Sequence, residues 1–115
     1  MVILLKMNKT IVKHLWVLVY LQAEETNCKD RQVGCVIYNT KLNEIVGKGI
    51  NTHPDGVCDC STTKTAIHAE VNAVNSMQET FDRKDLIAFI SHAPCCNCTQ
   101  VLSTTVSEVR YRSQK

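Results

Sequence analysis

Leu86-Ile87-Ala88-Phe89-Ile90 is an unbroken apolar run of strand length, with no polar residue at alternate positions. A run of this kind is expected of a strand buried on both faces, so the rest of the chain has to supply covering layers. The flanking segments offer them. Residues 10–24 predict a helix, with Ile11, Leu15 and Leu18 at i, i+4, i+7 spacing, Val19 and Gln22 beside them, and Thr10 as N-cap. Residues 33–38 are short and β-branched, 39–43 are polar, and 44–50 alternate between apolar and polar or small residues, which together predict a hairpin. Residues 51–65 carry Asn, Pro, Gly, Asp and Ser and read as a loop, long enough to suggest a functional one.

A second helix is expected over 66–77, with Ile67, Val71, Val74 and Met77 on one stripe. A third is expected to start at Pro94, a residue favoured at the first helical position, and to reach about Ser103. Residues 106–112 read as a last strand. The order implies helices packed on a mixed sheet.

The 115 residues are the size of one domain, and residues 1–115 are read as such. With 44% apolar and 21% charged residues, the composition is that of a globular protein and argues against disorder. The net charge of +2 gives no argument for a nucleic-acid partner. Lys6, Lys9 and Lys13 precede the apolar run 15–21, but no small-residue cleavage site follows it, and the run is too short to span a bilayer. The expectation is therefore a cytoplasmic protein with no membrane partner. Seven cysteines are an odd number for a disulfide framework and are better explained, in a reducing compartment, as metal ligands.

The chemistry sits in His68-Ala69-Glu70 and Pro94-Cys95-Cys96-Asn97-Cys98. Three residues apart in a first helical turn, Cys95 and Cys98 point to the same side and can grip one metal. The positive end of the helix dipole favours the thiolates that ligation needs. With His68 they make three protein ligands for zinc, leaving the fourth position open to water, as in catalytic rather than structural sites. Zinc lowers the pKa of such a water towards ~7. Glu70, two residues after His68, can flank the metal and shuttle protons as base and then acid. This pattern, H-x-E followed by P-C-x-x-C, is the signature of zinc nucleobase deaminases. Cys96, within the pair, is expected to be a packed core cysteine, and His14 and His92 to be structural.

With these residues placed, the chain resembles the cytidine and deoxycytidylate deaminase superfamily over about residues 10–112, and within it the short viral or bacterial deoxycytidylate deaminases. Beyond the zinc motifs, the resemblance includes Lys29-Asp30-Arg31-Gln32-Val33-Gly34-Cys35-Val36-Ile37, Ile45-Val46-Gly47-Lys48-Gly49-Ile50-Asn51 and His68-Ala69-Glu70-Val71-Asn72-Ala73. It implies a three-layer α/β/α fold with a mixed central sheet, one catalytic zinc, and hydrolysis of dCMP to dUMP and ammonia. It also implies that Asn51 contacts the nucleotide, that the backbone at Ala69 receives the pyrimidine, and that the chain forms a homo-oligomer. Some members of this branch carry a structural zinc, for which Cys28, Cys58 and Cys60, with His53, are the candidates here. Free thiols on a loop are the other reading of those cysteines. Riboflavin-pathway deaminases resemble the 33–37 stretch but space their zinc cysteines further apart. Transfer-RNA adenosine deaminases share the tight pair but usually lack a cysteine-bearing insertion before H-A-E, and they stand as the alternative, together with a zinc-binding relative without catalysis. Relatives usually continue past the last strand with another helix, whereas this sequence ends at Lys115, so a neighbouring subunit is expected to complete the pocket. Lys29, Arg31 and Lys48 are the candidates for the nucleotide phosphate, though by default each is a solvated charge.

Overall fold

The computed structural model describes residues 8–27, 32–52 and 67–112. The elements run α1 (Lys9–Ala23), β1 (Gly34–Asn39), β2 (Glu44–Ile50), α2 (Ala69–Ser76), a 3-10 turn (Arg83–Asp85), β3 (Leu86–Ile90), α3 (Cys96–Thr105) and β4 (Glu108–Tyr111). The sheet order is β2-β1-β3-β4. β1 lies antiparallel to both β2 and β3, and β3 lies parallel to β4, so the central sheet is mixed.

Every residue of β1 and β3 is buried. Side-chain alternation divides them between two cores. Val36, Tyr38, Ile87 and Phe89 face α1, where they meet Leu15 and Val19. Cys35, Ile37, Leu86, Ala88 and Ile90 face the other way, onto Ala69 and Ala73 of α2 and Leu102 of α3. The result is the three-layer α/β/α arrangement, with α1 alone on one face and α2 with α3 on the other. No helix among the described residues is long and apolar enough to cross a membrane.

Local chemistry explains the boundaries. Asn8, not Thr10, caps α1, its Oδ1 accepting from the Thr10 N–H at 2.8 Å. The hairpin turn is held by the Asn39 side chain, which accepts from the N–H groups of Lys41 and Leu42 at 2.9 Å each. Asn43 closes it at φ 57°, a left-handed conformation that asparagine tolerates. Pro94 precedes α3 instead of opening it, because Cys95 takes the N-cap.

Three expectations about which helix positions are buried need correction. Leu18 points outward while Leu15, Val19 and Ala23 are buried on α1. On α2 the buried positions are Ala69, Glu70 and Ala73 rather than Ile67 and Val71. Ile67 precedes the helix in an extended bridge to Thr52. The reason lies on β2: a Cβ at Gly49 would come within 2.3 Å of both the Ala69 carbonyl oxygen and the Ala73 nitrogen. Two small residues meet a bare strand there, and the helix packs by its backbone. Cys96 is the third correction. It is exposed, since Cys98 and Leu102 are the buried positions of α3.

Gly49→Ala is expected to lower stability by about 2–3 kcal/mol, because the atoms it would strike are backbone and cannot turn aside. Urea unfolding should show a lower midpoint at an unchanged slope.

Candidate metal centre

Two connections bring the functional residues to one edge of the sheet. At the end of β2, Thr52 and Ile67 exchange backbone hydrogen bonds of 2.9 and 2.8 Å, which delivers the chain into His68, the N-cap of α2. Asn72 pins the first turns of α2 to that strand end, its Nδ2 donating to the Ile50 carbonyl at 2.7 Å and to Thr52 Oγ1 at 3.2 Å. At the end of β3, the Ser91 N–H donates to the Gly34 carbonyl at 3.1 Å, and Ser91 Oγ accepts from the Gly34 N–H at 3.0 Å. These bonds extend the β1–β3 pairing by one residue and aim the short turn that leads into Cys95.

Both helices therefore begin beside each other. His68 Nδ1 lies 3.2 Å from Cys98 Sγ and 3.5 Å from Cys95 Sγ. The three ligand atoms all fall within 4.8 Å of one another. A tetrahedral zinc with Zn–S bonds of ~2.3 Å and a Zn–N bond of ~2.05 Å separates sulfur from nitrogen by about 3.5 Å. The donor set and its spacing fit that ion. His68 is half-buried, Cys95 exposed and Cys98 buried, so the trio reaches from the core to solvent.

Electrostatics add to the fit. The Cys98 N–H donates to Cys95 Sγ at 3.5 Å, so the first turn of α3 supports negative charge on that sulfur. Glu70, 4% exposed in the first turn of α2, is in hydrogen-bond contact with Cys98. Burial first, then the Glu70 carboxylate and Cys95, together push the Cys98 thiol up to about 12. Behind them Cys35 of β1 is fully buried. Its thiol is driven well above the ordinary range, first by burial and then by Glu70 and Cys98. A cation supplies what such a cluster of thiols and a carboxylate lacks.

The structure thus unites His68, Glu70, Cys95 and Cys98. Ala69 lies beneath them with its side chain fully buried. Asn51 is buried at the end of β2, where its Oδ1 accepts from the Val33 N–H at 3.0 Å. Cys28, His53, Cys58 and Cys60, the residues named for a second zinc, lie outside the described residues. So do Lys29 and Arg31, while Lys48 is exposed on β2. His14 is exposed, and His92 bonds through Nδ1 to Ser91 Oγ at 3.0 Å. Sequence reasoning missed Ser91 and Cys35. Alternation along β1 could have placed Cys35 on the same face as Ile37.

Known proteins match this arrangement. Residues 9–111 match the cytidine and deoxycytidylate deaminase zinc-binding region. A deaminase of the luxG 3′ region of Aliivibrio fischeri is 36% identical over 86 residues, 68% of this chain and 56% of the relative. The deoxycytidylate deaminase of Homo sapiens is 30% identical over 110 residues, 84% of this chain and 61% of the relative. The chain thus spans less than two thirds of the length of either. The crystal structure of dCMP deaminase from the cyanophage S-TIM5 in complex with dCMP and dUMP has 26% identity and a TM-score of 0.82, over 95% of this chain and 85% of that one. Acinetobacter baumannii RibD shares the fold at 21% identity and a TM-score of 0.68, over 92% of this chain and 29% of that one. On the profile match and the shared zinc motifs, this chain belongs to the cytidine and deoxycytidylate deaminase family.

Proposed function

We propose that the chain hydrolyses the exocyclic amine of a cytosine nucleotide, converting dCMP and water to dUMP and ammonia. The observation that carries this reading is the convergence of His68, Cys95 and Cys98 on one point with the Glu70 carboxylate packed against it. His68, Cys95 and Cys98 hold the zinc, which when bound supplies an acidified water. The rest is done by the protein. Glu70 takes a proton from the attacking water and passes it to the ring nitrogen, then takes the remaining proton of the new C4 hydroxyl and delivers it to the leaving amine as the C4–N bond breaks. The water oxygen becomes the carbonyl of the product, and ammonia carries the nitrogen away.

Burial of Glu70 keeps bulk water from competing for its proton. The pyrimidine meets the backbone at Ala69, in the first turn of α2, where amides have no partner within the helix. Asn51 contacts the nucleotide from the end of β2. A second, structural zinc held by Cys28, Cys58, Cys60 and His53 would tie the 53–66 loop to the segment before β1. The protein acts as a cytoplasmic homo-oligomer on a small nucleotide, without a membrane or nucleic-acid partner.

Ammonia release should be seen with dCMP, and to a lesser degree with CMP or deoxycytidine. Turnover of a tRNA anticodon stem-loop alone, or of none of the four by zinc-loaded protein, would overturn the reading. Glu70→Gln should retain about one zinc at this site and lose roughly 10²–10⁴-fold in kcat. Loss of the metal instead would contradict its role.

Zinc binding should also release protons. With its thiol raised to about 12, Cys98 is protonated at neutral pH in the metal-free protein and must lose that proton to ligate. Affinity should therefore rise with pH, about tenfold per unit for each proton displaced, as followed by competition with a chromophoric chelator. Zinc content in Cys28→Ser should fall by one ion per chain, and unchanged stoichiometry would remove the second site.

A further inference from the structure

Ser91 is fully buried, and its hydrogen bonds fix more than the end of β3. Its Oγ has two partners among the described residues, the Gly34 N–H and His92 Nδ1, each at 3.0 Å. The Gly34 N–H can only donate, so the one hydroxyl hydrogen of Ser91 is left for His92 Nδ1. With the hydrogen on Nδ1 instead, a buried O–H would have no acceptor. The neutral ring is thereby held in the tautomer that carries its hydrogen on Nε2. His92 is half-buried, yet Nε2 has no partner among the described residues.

The turn that carries His92 shares its anchor with the end of β2. Ser91 holds Gly34 by two bonds, from its N–H to the Gly34 carbonyl at 3.1 Å and through Oγ. Asn51 holds the neighbouring Val33 in the same way. Its N–H donates to the Val33 carbonyl at 3.2 Å, and its Oδ1 accepts from the Val33 N–H at 3.0 Å. Gly34 is itself seated on α1, where a Cβ would come within 2.3 Å of the Val19 carbonyl oxygen. Asn51 and His92 therefore flank one fixed point, the start of β1. His92 lies three residues before Cys95, so their Cα atoms are at most about 11 Å apart even with the turn fully extended. Ala93 and Cys95 are exposed, which puts this turn at the solvent end of the site. A pyrimidine that presents C4 to the metal leaves its sugar and phosphate towards solvent.

We propose that His92 is a substrate contact, its Nε2–H donating to an oxygen of the nucleotide's sugar–phosphate part, with Ser91 as the positioning residue that fixes its tautomer. The contact rests on the deaminase reading, which places the pyrimidine at the metal. His92 takes no part in proton transfer, which stays with Glu70. A bond to the part of the nucleotide that does not react holds ground state and transition state alike, so it acts on KM and leaves kcat in place.

Nitrogen NMR of the imidazole rings and steady-state kinetics of the zinc-loaded full chain test this. The His92 ring should show the Nε2–H tautomer in the parent, and Ser91→Ala should give a mixture of both tautomers. Adding dUMP should shift the Nε2–H signal of the parent. His92→Phe should raise KM for dCMP about tenfold and change kcat by less than about twofold. His92→Gln, whose amide can donate from nearly the same place, should recover most of that loss. An equal rise for deoxycytidine puts the acceptor on the sugar, and a rise confined to dCMP puts it on the phosphate. An Nδ1–H ring in the parent, an Nε2–H signal indifferent to dUMP, or a His92→Phe chain with unchanged KM for both substrates would each overturn the proposal. A dUMP-induced shift in a parent that releases no ammonia would support the contact and count against the deaminase reading alone.

Discussion

The contact between α2 and β2 at Gly49 is where the placement of the metal centre begins. Ala69 and Ala73 bring the helix backbone down onto a strand position without a side chain, at a distance no Cβ would permit. That fit sets the height and rotation of α2, and with them the position of its N-cap residue. His68 and Glu70 sit one residue either side of Ala69, so a small shift at Gly49 would be transmitted to both. Asn72 then locks the helix against sliding along the strand.

The price of the site is electrostatic. Glu70, Cys98 and Cys35 are all nearly or fully buried, and the Glu70 carboxylate disfavours charge on both thiols. Without a cation the cluster resolves this by keeping the thiols protonated. A divalent ion would reverse the balance: Cys95 and Cys98 would give up their protons to become ligands, and the cation would offset the charge of Glu70. The two helix N-termini supply a smaller bias in the same direction. Organisation of the site and its affinity for metal are thus one property, and buried Cys35 registers it, since Glu70 and Cys98 both raise its thiol.

Much of this was legible in the chain. The strands could be read because β1 and β3 are continuous apolar runs, and the metal triad because Cys95 and Cys98 are spaced for a helical turn and H-A-E has a specific chemical meaning. Periodicity failed where packing was decided by absence of side chains. A stripe of Ile67, Val71, Val74 and Met77 looked stronger than Ala69 and Ala73, yet the glycines on β2 reward small residues. It failed for Cys96 because a residue just inside a helix start can point to solvent whatever its hydrophobicity. Ser91 was invisible because its role is to bond Gly34, a partner distant in sequence.

The mixed sheet explains why these parts share one edge. Because β1 runs antiparallel to β2 and β3, its N-terminal end lies beside their C-terminal ends. Chain leaving β2 and chain leaving β3 therefore emerge on the same side, and each turns into a helix that returns across the same face. Two helices that start side by side present their positive ends and N-cap side chains to one volume. His68 and Cys95 are those N-caps. Their meeting follows from strand direction, and the close packing at Gly49 brings it to within the dimensions of a single ion.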